Sequence, residues 1–203
     1  MIFKKKILIG IPSYNLQIHS GLLMSVLRET KNSQHDIKTM CTHSCFIAHS
    51  RNEIVREALK HDVDYLLFWD SDVEVLSSDF IDKMVSLSQN RRDAIVCAPY
   101  RLKMPEKKFN LVTQEDNELD YVTELPLESF EVDGAGTGLM LIPCKVFSKL
   151  TDPYFQMLAT DKEFVPEDWD FCFKAKKEGV SIIVDPSIRT RHWGFFAWDS
   201  HEV

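Results

Sequence analysis

Leu66–Val75 read Leu-Leu-Phe-Trp-Asp-Ser-Asp-Val-Glu-Val, and this stretch decides the fold. With Asp64 and Tyr65 in front, DYLLFW is apolar without alternation, the pattern of a strand buried on both faces. It runs straight into Asp70-Ser71-Asp72. A buried strand thus delivers two carboxylates at its C-terminal end, where ligands bind in open α/β sheets. Two acids one residue apart repel each other. They are comfortable when solvated or when they share a cation, and hard divalent ions prefer such oxygen ligands. A metal–diphosphate needs few ligands from protein, because its phosphates supply the rest. An ordinary acidic turn has the same letters, so the placement carries the weight.

On the N-terminal side, Lys6–Ile11 (KILIGI) reads as a buried strand ending in a loop at Pro12, Ser13, Tyr14 and Asn15. Leu22, Leu23, Val26 and Leu27 recur at helical spacing. Ile37–Thr42 alternates like a second strand, and Ile54, Val55, Ala58 and Leu59 give a helix from Arg51. On the C-terminal side, Ser77 or Ser78 can cap a helix with Asp79 and Asp82 in its first turn. Ala94–Ala98 is a further strand, stopped by Pro99. Strand and helix alternate over these hundred residues, which predicts an α/β fold: a mixed, mostly parallel central sheet with helices on both faces. After Tyr100 the pattern changes. Leu119–Leu125, Phe130–Asp133 and Leu139–Pro143 read as strands without long helices between them. A helix opens at Pro166 and closes with Lys176, Lys177 and Gly179, and Ser181–Asp185 is a last strand.

The 203 residues suit one domain that needs neither disulfide nor metal to fold. Five scattered cysteines favour a reducing compartment. No signal peptide and no apolar run long enough to span a membrane are expected, which points to the cytoplasm. Lys and Arg number 24 against 31 Asp and Glu, a net charge of −7 that makes nucleic acid a poor partner. From Phe109 to Cys144 there is no Lys or Arg, while eight acids including Glu115, Asp116 and Asp133 fall inside. A solvated strand region explains this first, an acceptor-facing surface second.

Two later motifs carry chemistry. Pro166-Glu167-Asp168-Trp169-Asp170 places carboxylates at a helix N-terminus, where the dipole stabilises them. That setting favours the ionised form of Asp168 and keeps its pKa low. Arg191-His192-Trp193-Gly194 offers an imidazole, a borderline ligand for Mn²⁺ or Zn²⁺. Phe195, Phe196 and Trp198 follow, as an aromatic lid over a ligand or as core. Cys41-Thr-His-Ser-Cys45 lacks a second ligand pair at zinc-finger spacing and reads as a strand end.

Taken in order, PSYN, HSRNEIVREAL (His49–Leu59), DSD, GAGTG (Gly134–Gly138), PED and His192 resemble the GT-A fold of nucleotide-sugar glycosyltransferases, particularly the inverting, family 2-like enzymes. A small glycosyltransferase domain of the algal-virus kind, working in the cytoplasm of an infected host cell, is the nearest specific likeness. The resemblance covers most of the chain. It implies a single GT-A domain over residues 1–203, with a nucleotide-binding half (1–100) and an acceptor-binding half (101–203). It implies metal-dependent transfer of one hexose or deoxyhexose from a UDP-sugar to a glycan, glycoprotein or other hydroxyl acceptor, with inversion. Pro12, Ser13, Tyr14, Asn15, Arg51, Asp70, Ser71 and Gly136 would bind the nucleotide-sugar. Asp70, Asp72 and His192 would hold Mn²⁺ or Mg²⁺. Asp168 would be the general base, and Glu167 and Trp169 would face the acceptor.

The chain departs from that pattern in places. A Q-x-x-R-W element after the second helix motif is missing, which argues against processive polymer synthesis. No Golgi-type anchor is expected, and Val203 follows closely on the histidine, as would be expected of one domain of a longer polypeptide. GAGTG precedes a strand and not a helix, so it does not read as a dinucleotide loop. Two alternatives stay open. One is a haloacid-dehalogenase-like phosphatase with Asp70 as nucleophile and Asp72 as acid. The other is a sugar-nucleotide-binding module without turnover, which has no need of Asp168.

Overall fold

The computed structural model describes residues 4–115, 118–159, 164–194 and 197–199. In chain order these form β1 (Lys6–Ser13), α1 (Ser20–Asn32), β2 (Asp36–His43), α2 (Ile47–Lys60), β3 (Tyr65–Trp69), β4 (Val73–Val75), α3 (Phe80–Asn90) and β5 (Ile95–Cys97). There follow β6 (Leu111–Glu115), β7 (Glu118–Tyr121), β8 (Phe130–Glu131), β9 (Gly134–Ala135), β10 (Leu139–Pro143), β11 (Leu158–Ala159) and β12 (Phe164–Val165). The chain closes with α4 (Glu167–Lys177), β13 (Ile182–Val184), β14 (Thr190–Trp193) and β15 (Ala197–Asp199).

Seven strands make the central sheet in the order β2-β1-β3-β10-β5-β13-β8. The pairs β1/β2, β1/β3 and β5/β13 are parallel. Strand β10 runs antiparallel to both its neighbours, β3 and β5. Alternation along each strand then divides the core. Ile7, Ile9, Leu67 and Trp69 pack with Leu22 and Val26 of α1 and with Phe80 and Met84 of α3. Leu8, Leu66 and Phe68 pack with Ile54 and Val55 of α2 and Phe171 and Cys172 of α4. Both faces of the sheet are covered, so β3 is buried at every position, as its unbroken apolar run requires.

Several boundaries differ from the sequence reading. Strand β1 continues through Pro12 and Ser13, because β2 pairs with it as far as Ser13↔His43. Helix α2 begins at Ile47, four residues before Arg51. Helix α3 is entered through Asp79 in a left-handed conformation, φ 56°, and neither Ser77 nor Ser78 caps it. The Ser77 hydroxyl instead accepts the Arg189 N–H at 2.8 Å. Pro166 sits one residue ahead of the first residue of α4. The strand read at 119–125 is the shorter β7, the second arm of a hairpin with β6 that lies outside the central sheet. Within the acidic stretch Asp116 lies outside the described residues, as do Phe195 and Phe196. Among the described residues no helix is long and apolar enough to cross a membrane.

Candidate functional site

The C-terminal ends of the parallel strands β1 and β3, and of β5, open on one edge of the sheet, and the chemistry gathers there. Asp70 follows β3 directly. Its N–H donates to the Gly138 carbonyl at 2.9 Å, which ties the acid pair to the GAGTG loop. The next two carbonyls are held as well. His19 N–H donates to Ser71 and Trp193 N–H to Asp72, both at 2.8 Å. The Trp193 ring stacks on His19 with centroids 4.2 Å apart and donates through Nε1 to Glu74 Oε2 at 2.8 Å. Strand β14 also pairs with β4, so the segment carrying His192 is laid antiparallel on the strand that follows the acid pair.

Arg51 organises the carboxylates. It is 3% exposed, with its guanidinium over the Phe68 ring at 5.4 Å. It bridges Asp70 at 3.1 Å and Glu167 at 3.2 Å. Burial alone would disfavour its charge, but Asp70, Glu167 and Asp168 outweigh that and push its pKa above the ordinary arginine value. Burial pushes the Asp70 carboxyl up, with Arg51 opposing and Asp72 adding to the rise. For Asp72 burial works the same way, but His192 and Lys103 overcome it and hold the carboxyl down at about 2.

His192 is fixed in one tautomer. Its Nδ1 lies 2.8 Å from the Arg101 carbonyl, which can only accept, so Nδ1 carries the proton. The other nitrogen, Nε2, faces Asp72 Oδ1 at 3.5 Å. When Nε2 gives up the proton it otherwise shares with Asp72, the ring presents a lone pair beside a carboxylate oxygen, and such an arrangement accepts a cation. Both oxygens of Asp70 are turned to the Arg51 guanidinium, Oδ1 at 3.1 Å and Oδ2 at 3.3 Å. Among the described residues no three His, Cys, Asp or Glu side chains form a ready-made metal site. Asp72 Oδ1 and His192 Nε2, 3.5 Å apart, are donors of the kinds that an ion with diphosphate oxygens in its shell takes.

Asp168 corrects an expectation. It stands in the first turn of α4, and its own Oδ1 accepts the Trp169 N–H at 2.9 Å. The helix setting does not keep its pKa low. Burial, and after it the charge of Glu167, raise the carboxyl to about 7, with Arg51 and the Trp169 N–H offsetting only part of the rise. Desolvation outweighs the dipole because protein surrounds most of the group.

Other expected residues are found in different surroundings. Glu167, assigned to the acceptor, is 6% exposed and committed to Arg51. Arg51 itself is enclosed, and its ion pairs go to the two acids. Ser13 is buried and donates to the Gln17 carbonyl at 3.1 Å. Pro12 is buried beside it, whereas Tyr14 is 72% exposed, and the exposed Asn15 bonds Gln17. Gly136 is small for a local reason: a Cβ there would meet the Tyr100 hydroxyl oxygen at 2.3 Å. Trp169 stays on the rim, its ring 5.5 Å from that of Tyr121.

Sequence reasoning missed Tyr100 and Lys103. The Tyr100 hydroxyl accepts the Gly138 N–H at 3.2 Å, and its ring meets His192 edge-on at 5.0 Å. Its place just after a buried strand was the available signal. Lys103 donates to Asp72 Oδ2. The basic run Arg101–Lys108, set just before the long acidic stretch, was the sign of a counter-charge.

Neither a family model nor a curated protein matches the chain. Solved structures do. A197 from STIV is 24% identical, with a TM-score of 0.70 over 93% of this chain and 86% of that one. A UDP-glucose pyrophosphorylase complexed with UDP-glucose gives 0.54 at 10% identity, over 91% and 90%. A UTP-bound UGPase from Acinetobacter baumannii gives 0.53 at 9%, over 93% and 88%. At these identities the likeness is one of fold, and the fold is a Rossmann-like GT-A sheet with helices on both faces.

Proposed function

We propose that this protein is a metal-dependent glycosyltransferase of the inverting, family 2-like kind, with the algal-virus likeness as part of the same reading. It moves one hexose or deoxyhexose from a UDP-sugar to a hydroxyl of a glycan or other acceptor. One observation carries this. Asp168, with its carboxyl near 7, is joined through Glu167 and Arg51 to the strand-end acid Asp70. A carboxyl tuned to neutral pH beside a diphosphate-type site supports a base that accepts a hydroxyl proton.

Asp168 takes the acceptor proton as the oxygen attacks the anomeric carbon. Attack from the face opposite the leaving group inverts the centre. Arg51 holds Asp70 and Glu167 in place and balances their charge. Asp72 and His192, with Asp70, would hold Mn²⁺ or Mg²⁺, which supplies positive charge to the departing diphosphate when bound. Tyr14 and Asn15, exposed after β1, offer a surface for the base, with Pro12 and Ser13 beneath. Trp169 lies on the acceptor side.

The pyrophosphorylases of the same fold suggest nucleotidyl transfer as a rival. A sugar phosphate is already anionic and asks for no base, so the tuning of Asp168 favours a hydroxyl nucleophile. A phosphatase would need Asp70 free to attack phosphorus, whereas Asp70 is locked to Arg51. The test is a thermal-shift panel of UDP-, GDP-, CDP- and dTDP-sugars with Mn²⁺ or EDTA. The hits are then incubated with oligosaccharide acceptors, and the product anomer is read by NMR. Metal-dependent UDP-sugar binding and an inverted product are expected. Equal binding in EDTA removes the metal role, and a retained anomer removes the inverting assignment.

A further inference from the structure

Arg51 is the cation on Asp70, and Lys103 is the cation on Asp72. Lys103 lies in the segment between Tyr100 and Phe109, closed by the Arg101↔Phe109 bridge and by Leu102 N–H donating to the Lys108 carbonyl at 2.9 Å. The same segment supplies the Arg101 carbonyl that fixes the His192 tautomer. Asp72 therefore carries the Lys103 ammonium on Oδ2 and faces His192 Nε2 with Oδ1. The Lys103 side chain is 36% exposed, and lysine is a flexible stem with a compact charge, so its head can change partners without unpacking anything.

A divalent ion beside Asp72 and an ammonium on the same carboxylate repel each other. A diphosphate arriving with the ion carries negative oxygens that satisfy both. We propose that Lys103 is a diphosphate-binding residue, held on Asp72 until the nucleotide arrives and then transferred to its phosphate oxygens. This rests on the nucleotide-sugar reading of the site. It adds an order to binding. Metal alone meets an occupied carboxylate and binds weakly, while metal and nucleotide together displace the lysine onto the ligand and bind well.

The experiment uses the whole chain and two titrations: MnCl₂ alone, followed by the paramagnetic signal of free Mn²⁺, and UDP with Mn²⁺, followed by calorimetry. Wild type comes first. If it fails to bind UDP with Mn²⁺, the nucleotide-sugar reading falls, and this proposal with it. Given wild-type binding, Lys103→Met should bind Mn²⁺ alone ~3–10-fold more tightly, since a competing like charge has gone. It should bind UDP with Mn²⁺ at least ~10-fold more weakly, as expected for a lost charge-assisted contact. Lys103→Arg, which keeps the charge and the donors, should hold UDP affinity within a fewfold of wild type. Lys103→Met with wild-type UDP affinity, or with no gain for Mn²⁺ alone, overturns the proposal. An unchanged Tm certifies that the variant is folded.

Discussion

Asp168→Asn separates two consequences of burying one carboxyl. Asn keeps the shape and can still accept the 2.9 Å hydrogen bond from Trp169 N–H, but it cannot take a proton. In the wild-type protein burial and Glu167 raise the group from an ordinary 3.8 to about 7. The folded state therefore keeps the proton up to about pH 7, while the unfolded chain releases it near pH 4. Across that window the unfolded state binds fewer protons, so stability falls as pH rises. A separation of about three pH units corresponds to ~4 kcal/mol if fully expressed. Solvent contact on part of the side chain lowers the expected net cost to ~1–2 kcal/mol. Asn escapes it, so calorimetry at pH 8 should show a Tm roughly 2–8 °C above wild type, with little difference at pH 4. The same substitution should cut sugar transfer by ~10²–10⁴-fold and leave UDP–Mn²⁺ binding intact. The wild-type rate should climb with pH through about 7 as the base is freed. A variant less stable than wild type at pH 8, or one transferring sugar within a fewfold of it, refutes the reasoning.

Arg51→Met leaves the buried Glu167 and the half-buried Asp70 without their shared partner, and urea titration should show a loss of ~2–4 kcal/mol. Gly138→Ala drives a Cβ to within 2.7 Å of the Tyr100 ring, so it should cost ~1–3 kcal/mol; adding Tyr100→Leu should recover part of that in a double-mutant cycle. Cys41 and Cys45 are exposed, whereas Cys97 and Cys172 are buried with thiols raised by desolvation. A thiol reagent should therefore label the first two in the native protein, and the second two only in denaturant.

The parts of the site that are local in sequence were legible. An unbroken apolar run ending in two acids announces β3 and its strand-end carboxylates, and acids before a helical run announce α4. What escaped depends on partners far along the chain. Nothing in Val73-Glu74-Val75 says that it pairs with residues around His192 more than a hundred positions later. Leu139–Pro143 reads as a strand, but its direction and its place between β3 and β5 are set by the whole sheet. The pKa of Asp168 was misjudged because the helix dipole is visible in sequence and desolvation is not. Lys103 was missed because a surface lysine gains meaning only from the acid it meets.

The position of β10 has a consequence for how the chain reaches its native state. Among the described residues the strand neighbours of β5 are β10 and β13, both of which come after residue 100. A fragment ending at residue 100 leaves β5 without a strand neighbour and exposes the free edge of β3, an invitation to pairing with other chains. On the ribosome the strand that closes both gaps emerges some seventy residues after β3, so completion waits on a distant contact, and such topologies fold slowly. The protein is therefore expected to resist division into separately expressed halves. Weakening Met140 or Leu141, which bridge β3 and β5, should lower soluble yield before it lowers the activity of the molecules that do fold.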